Sequence, residues 1–231
     1  MTLNQSAKLK KTTLLVKEIF TSIQGEGAHI GLPFHFIRLS GCNLRCSYCD
    51  TAYAFKGGSL LTFSEIQGQI ELGQTPYALL TGGEPLMQPN SIELMHELQK
   101  SGFKVFIETH GEASIASIPP FVHIIMDIKT PGSRMCRGGF QENLAYLKPT
   151  DELKLVITDQ NDYDWAKQLI KSQELPTKNI IFSAALPASD TPAPYTTTPP
   201  KELAENILKD QLPVRFQLQL HKQLWGDVPG K

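Results

Sequence analysis

Gly41-Cys42-Asn43-Leu44-Arg45-Cys46-Ser47-Tyr48-Cys49-Asp50-Thr51 sets three cysteines at C-x3-C-x2-C spacing within an eight-residue span. Thiolates are soft ligands that suit zinc or an iron–sulfur cluster. A structural zinc site takes four protein ligands, and no second cysteine pair or nearby Cys/His pair supplies the fourth. A four-iron cluster held by three cysteines leaves one iron open to a small molecule. A zinc knot completed by one of the six distant histidines is the competing reading. The cysteines follow Phe34–Leu39, a run with strand character, so they are expected on a loop at a strand end.

Outward from that loop, apolar β-branched runs alternate with longer amphipathic ones, the pattern of repeated β–α units. Strands are predicted at Leu14–Phe20, Phe34–Leu39, Tyr77–Thr81, Lys104–Glu108, His123–Ile128, Glu152–Ile157, Asn179–Ser183 and Val214–Leu220. Helices are predicted at Ser64–Leu72, Ser91–Ser101, Tyr163–Ser172 and Pro200–Asp210, with N-caps near Ser91 and Asp162. Several strands end in polar or glycine-rich segments, and in parallel α/β folds those C-terminal ends carry the chemistry. The expected fold is α/β: a partial, open TIM-like barrel of parallel strands with helices outside, one domain over residues 1–231. The Pro- and Thr-rich run 187–200 reads as a long loop, a lid or a plain surface connection.

Composition narrows the function classes. With 231 residues, 41% of them hydrophobic, the chain can bury a sizeable core. The 22 basic and 23 acidic side chains leave a net charge of −1, which gives no electrostatic footprint for nucleic acid. Lys8, Lys10 and Lys11 precede Leu14-Leu15-Val16, but Lys17 and Glu18 end that run too early for a signal peptide. No stretch reaches membrane-spanning length, so a cytoplasmic protein is expected. Crowding of three cysteines argues against a disulfide framework, and Cys136 reads as a packed or loop cysteine.

Two further segments carry chemistry. In Thr81-Gly82-Gly83-Glu84-Pro85 the glycines let backbone approach a ligand and Glu84 can accept from an ammonium group, although an ordinary Gly-Gly turn has the same sequence. In Gln24-Gly25-Glu26-Gly27, amide and carboxylate groups can meet the donor–acceptor edge of a flat heterocycle, while Arg38 offers a fork for a carboxylate. A polar turn and a strand-edge salt bridge are the plainer readings of the two.

The cysteine run, with Tyr48 before the third cysteine, and Gly82-Gly83-Glu84 after it resemble the radical S-adenosylmethionine superfamily. That resemblance implies that the cofactor's amino and carboxylate groups chelate the open iron of a 4Fe-4S cluster. An electron from the cluster then breaks a C–S bond and releases a 5′-deoxyadenosyl radical. More narrowly, Phe20 to Thr51, Glu108-Thr109-His110-Gly111, Asp127-Ile128-Lys129, Glu152-Leu153-Lys154 and His221-Lys222-Gln223-Leu224-Trp225-Gly226 resemble the 7-carboxy-7-deazaguanine synthase (QueE) family. The resemblance implies a lyase that converts 6-carboxy-5,6,7,8-tetrahydropterin to 7-carboxy-7-deazaguanine with loss of ammonia, on the route to queuosine and other 7-deazapurines. A glycyl-radical activase shares the cysteine run and the Gly-Gly-Glu segment but does not predict Gln24-Gly25-Glu26-Gly27. The other competitor is a non-enzymatic metal-binding module.

Position by position, the resemblance implies that Cys42, Cys46 and Cys49 ligate the cluster and that Thr51 gives its hydroxyl to Mg²⁺ against the substrate carboxylate. Ile23, Gln24, Gly25, Glu26, Arg38 and Thr81 would bind the pterin. Gly83, Glu84, Asp127, Ile128, Lys129 and Ser183 would bind S-adenosylmethionine. A homodimer and a reductant protein such as flavodoxin are further implications. The chain departs from the family pattern in Asp127-Ile128-Lys129, where some members carry Ser-Pro-Lys, and in His110, where Asn is familiar. Its end, Gly226 to Lys231, also runs longer, so a terminal substrate contact is not transferred to Pro229.

Overall fold

The computed structural model describes residues 12–186, 197–226 and 228–231. The lysine-rich start and residues 187–196 of the Pro- and Thr-rich run lie outside them. Within them the strands are β1 (Thr13–Ile23), β2 (Pro33–Leu39), β3 (Ser59–Thr62), β4 (Tyr77–Gly82), β5 (Lys104–Thr109), β6 (His123–Ile128), β7 (Glu152–Ile157), β8 (Asn179–Ala184) and β9 (Arg215–Gln217). They form one sheet in the order β3-β1-β2-β4-β5-β6-β7-β8-β9. From β2 to β9 every neighbouring pair is parallel, whereas β1 pairs antiparallel with both β2 and β3. The sheet ends on β3 and β9 and does not close, giving the open partial barrel expected.

Strand alternation sorts side chains to two faces. Ile37, Leu39, Ala78, Leu80, Val105, Ile107, Ile124, Met126, Leu153 and Leu155 face outward into the main core. There they meet the helices α1 (Phe63–Gln67), α2 (Asn90–Lys100), α4 (Gln160–Ser172) and α5 (Pro200–Asp210) through Ile66, Leu94, Met95, Leu98, Tyr163, Ala166 and Leu203. The short helix α3 (Phe140–Asn143) adds Phe140 to the same core. The opposite parity faces inward. Phe34, Phe36, Leu79 and Phe106 form a second, smaller apolar cluster there, with Phe20 and Tyr77 against it. Each fully buried large side chain contributes about 1.5–3 kcal/mol. Both faces of the parallel strands are therefore shielded, as parallel sheets require.

Local chemistry explains where the sequence reading shifts. The helix expected over Ser64–Leu72 ends at Gln67, because Gly68 is a poor helix former and only isolated turns follow. Its start carries a full capping box, Thr62 with Glu65. The caps expected near Ser91 and Asp162 are corrected. Ser91 lies inside α2, whose first turn has no side-chain cap, and Asp159 caps α4 by accepting from the Asp162 N–H at 3.0 Å. The strand expected over Val214–Leu220 keeps only Arg215–Gln217, because the Leu220 N–H turns to Gly25 O at 3.0 Å and Leu220–Trp225 winds into α6. Strand β3 was not expected: its Ser59 and Leu60 are exposed, so it shows no buried alternation.

Candidate active site

At the C-terminal edge of the sheet the inward-facing residues change character. Register pairs Arg38 with Thr81, Asp127 with Lys154, and Val156 with Ser183. Arg38, Thr81, Glu108, Asp127 and Lys154 form a polar layer above the aromatic one and line a cleft. The loop after β2 brings Cys42, Cys46, Cys49, Asp50 and Thr51 to the same cleft. The loop after β1 brings Ile23, Gln24, Gly25 and Glu26.

Backbone contacts hold the cysteine loop. Gly83 N donates to Leu39 O at 3.0 Å and Glu84 N to Gly41 O at 2.8 Å. A Cβ on Gly83 would sit 1.8 Å from Gly41 O, so the Gly-Gly pair is required for the two loops to stack this closely. On the other side Ser47 donates through N and Oγ to Ser133 O and Gly132 O at 3.0 and 2.7 Å. Asp162 supports that anchor, accepting from Gly132 N, Thr130 Oγ1 and Thr158 Oγ1.

The Glu84 carboxylate is fully buried beneath the cleft and already engaged. It accepts from Thr109 Oγ1 at 2.9 and 3.0 Å, Leu86 N at 3.0 Å and His110 N at 2.9 Å. Glu84, expected to accept from an ammonium group, braces β4 against β5 through these bonds. The Ile128 side chain points into the outer core, so a cofactor contact at this position falls to its backbone. Ser183 is buried on β8 outside the cleft wall, and its Oγ has no hydrogen-bond partner among the described residues. The other sequence-derived site residues all line the cleft.

His110 is a connector. Its Nδ1 accepts from Glu112 N at 3.0 Å, so the proton sits on Nε2, which reaches Asn43 Oδ1 at 2.9 Å and Glu84 Oε2 at 3.3 Å. Burial, with the Lys129 charge nearby, pushes its pKa down to about 4. The imidazole is thus neutral and ties the cysteine loop to the Glu84 brace.

Residues that sequence reading left without a role dominate the electrostatics. Lys154 Nζ touches Glu26, Glu108 Oε1 at 2.7 Å and Asp127 Oδ2 at 3.3 Å, while Lys129 Nζ meets Asp127 Oδ2 at 3.1 Å. Burial raises the Asp127 and Glu26 carboxyls, but Lys129 and Lys154 for the first, and Lys154 with His221 for the second, hold both below the usual range. Asp50 is held low in the same way, burial being outweighed by Lys222 and His221. Burial alone would lower Lys154, yet Glu108, Glu26 and Asp127 raise it far above the usual lysine value. Asp127 Oδ1 is buried with no partner among the described residues, an acceptor left for a ligand. The α6 end contributes Gln219, whose Nε2 donates to Glu26 Oε1 at 2.6 Å, and His221, which packs where a Cβ on Gly25 would be 2.2 Å away. A lysine two residues after a glutamate in a buried strand, Glu152-Leu153-Lys154, was the available signal.

Arg38 is fixed by Glu18 at 2.7 Å and lies over the Phe20 and Tyr53 rings. Cys49 Sγ and Thr51 Oγ1 are 3.9 Å apart. Burial raises all three thiols, Cys46 to about 11, so a cationic iron cluster is what would hold them as thiolates. Cys136 stands outside the cleft wall, leaving three cysteines for the cluster.

A family model described as the Radical SAM superfamily matches residues 36–148. The 7-carboxy-7-deazaguanine synthase of Koribacter versatilis is 41% identical over 91% of this chain and 96% of its own length. The enzyme of that name from Thermoplasma acidophilum is 36% identical over 94% of this chain and all of its own. Among solved structures, QueE from Escherichia coli superposes with a TM-score of 0.67 at 21% identity, covering 90% of this chain and 95% of that one.

Proposed function

This chain belongs to the 7-carboxy-7-deazaguanine synthase family of the radical SAM superfamily, a radical SAM lyase of 7-deazapurine biosynthesis, and from that premise we propose that its substrate is 6-carboxy-5,6,7,8-tetrahydropterin. The observation that carries the substrate reading is one cleft shared by the three cysteines, the Gln24–Glu26 loop and Thr51. When bound, the cluster and S-adenosylmethionine supply reductive C–S cleavage and hydrogen abstraction.

The chain's own residues bind and orient. Gly83, Asp127 and Lys129 face the cofactor, with the free Asp127 Oδ1 ready to accept a donor hydrogen and Lys129 available to a carboxylate. Ile23, Gln24 and Gly25 present backbone to the pterin edge, and Glu26 is kept ionised by Lys154 to accept from its ring N–H groups. Arg38 and Thr81 flank the same space. Phe20, Phe36, Leu44, Phe55 and Val156 line it with apolar surface that displaces water. Thr51, beside an ionised Asp50, offers the hard oxygen that Mg²⁺ accepts, and the ion would hold the substrate carboxylate.

A flavodoxin-like reductant, a homodimer and a cytoplasmic location complete the reading, the first because the cluster must receive an electron. No helix among the described residues is long and apolar enough to cross a membrane. Binding of 6-carboxytetrahydropterin to the reconstituted holoprotein, followed by pterin fluorescence, tests the site. Affinity should rise with Mg²⁺ and lose that response in Thr51→Ala; an unchanged response removes Thr51 from the site.

A further inference from the structure

Opposite the cleft, at the N-terminal edge of the same sheet, lies a second group of ligating side chains. His123 opens β6, Glu152 opens β7, and His29 comes from the loop between β1 and β2. One ligand atom from each lies within 4.8 Å of the other two. His123 Nε2 is 2.7 Å and His29 Nδ1 3.7 Å from the same oxygen, Glu152 Oε1. The other oxygen, Oε2, accepts from Ala28 N at 2.7 Å. His29 Nδ1 is a buried atom with no hydrogen-bond partner among the described residues. The imidazoles are walled by the Phe106 ring, 4.8 Å from each.

We propose that His29, His123 and Glu152 form a zinc site distinct from the iron–sulfur cleft. Two imidazoles and a carboxylate are the ligand set zinc takes when a fourth position is left to water. With Zn–N and Zn–O bonds of about 2.0–2.1 Å, tetrahedral ligand atoms stand about 3.3 Å apart. The observed 2.7 and 3.7 Å bracket that spacing on the carboxylate's two sides, and the two imidazole nitrogens lie within 4.8 Å of one another. The Ala28 N–H orients the carboxylate as an outer-shell donor does in metal sites. Burial and the neighbouring His123 keep His29 below its usual pKa, leaving its lone pair free near neutral pH. The Glu152 carboxylate is the opposing influence, and the Lys104 charge acts in the same direction as burial.

The consequence is positional. His29 and Ala28 belong to the loop whose first residues, Gln24 to Glu26, line the cleft. That loop already closes on itself through Gln24 N to Leu32 O at 2.8 Å and Gly31 N to Gln24 O at 2.9 Å. Zinc would pin it to β6 and β7 from below.

The test uses anaerobically reconstituted holoenzyme, in which iron occupies the three cysteines, dialysed against buffered Zn²⁺. One zinc per chain beside four irons is expected, with X-ray absorption showing only nitrogen and oxygen neighbours at about 2.0–2.1 Å. His29→Ala and, independently, His123→Gln should each lose the zinc while keeping the iron. Zinc should raise the melting temperature of the parent protein and of neither variant. Sulfur neighbours at about 2.3 Å, zinc retained in both variants, or no stoichiometric zinc would overturn the proposal.

Discussion

The inward face of the sheet is built twice from the same strands. At its N-terminal end Phe34, Tyr77, Phe106 and His123 pack as rings, with Phe34 stacked on Tyr77 at 4.8 Å and edge-on to Phe106 at 5.0 Å. Two to four residues further along β4, β5 and β6, and on the neighbouring β7, Thr81, Glu108, Asp127 and Lys154 replace apolar bulk with polar and charged groups. Strand propensity and outer-face packing are alike at both ends, so neither distinguishes them. What differs is what each layer needs from its neighbours: the aromatic layer fills space, and the charged layer satisfies itself through one lysine set among three carboxylates. One end is a floor and the other a reaction surface.

The contrast breaks most completely at the cysteines. Cys46→Ala should lose the cluster and reduce turnover below detection, with unfolding by urea little changed; iron analysis and product assay check it. Lys154→Met comes next. Removing the partner of Glu26, Glu108 and Asp127 leaves buried charge uncompensated, at a cost of about 3–5 kcal/mol. With the lysine gone the Glu26 and Asp127 carboxyls, which it holds low, titrate higher in the folded state, which then takes up protons more readily. The deficit relative to the parent should therefore shrink as pH falls, and urea titrations at several pH values would show it.

Phe106→Ala sharpens the comparison from below. It should cost about 3–5 kcal/mol in stability yet keep the four irons and the Mg²⁺ response, since Phe106 lies outside the cleft lining. A smaller effect follows from His110. Its folded pKa of about 4 lies below the ordinary 6.5, so the unfolded chain binds the extra proton between those values. Stability is full above pH 6.5 and falls by about 3 kcal/mol as pH drops to 4. His110→Asn, which cannot titrate, should flatten that limb in melting curves.

Much of this division was readable in advance. The cysteine run, Gly82-Gly83-Glu84 and Gln24 to Glu26 are local signals, and local signals survive without coordinates. The parallel strands were legible from apolar runs because burial on both faces demands them. Lys154, Glu108, Asp50 and Gln219 were not assigned roles, since a charge in a strand declares its purpose only once register sets it opposite a partner. The partners of Glu84 were hidden for a related reason: its motif fixes the chain position, while Thr109 and His110, 25 and 26 residues away, decide what its carboxylate touches. The shortened β9 and the helix after it depended on Gly25 O, a partner almost the whole chain distant.

The proposed reaction rebuilds a carboxylated pterin at the charged end of the sheet. Reconstituted protein incubated anaerobically with 6-carboxytetrahydropterin, S-adenosylmethionine, Mg²⁺ and a low-potential reductant should release a product with the mass and ultraviolet spectrum of 7-carboxy-7-deazaguanine. Cleavage of S-adenosylmethionine without that product would contradict it.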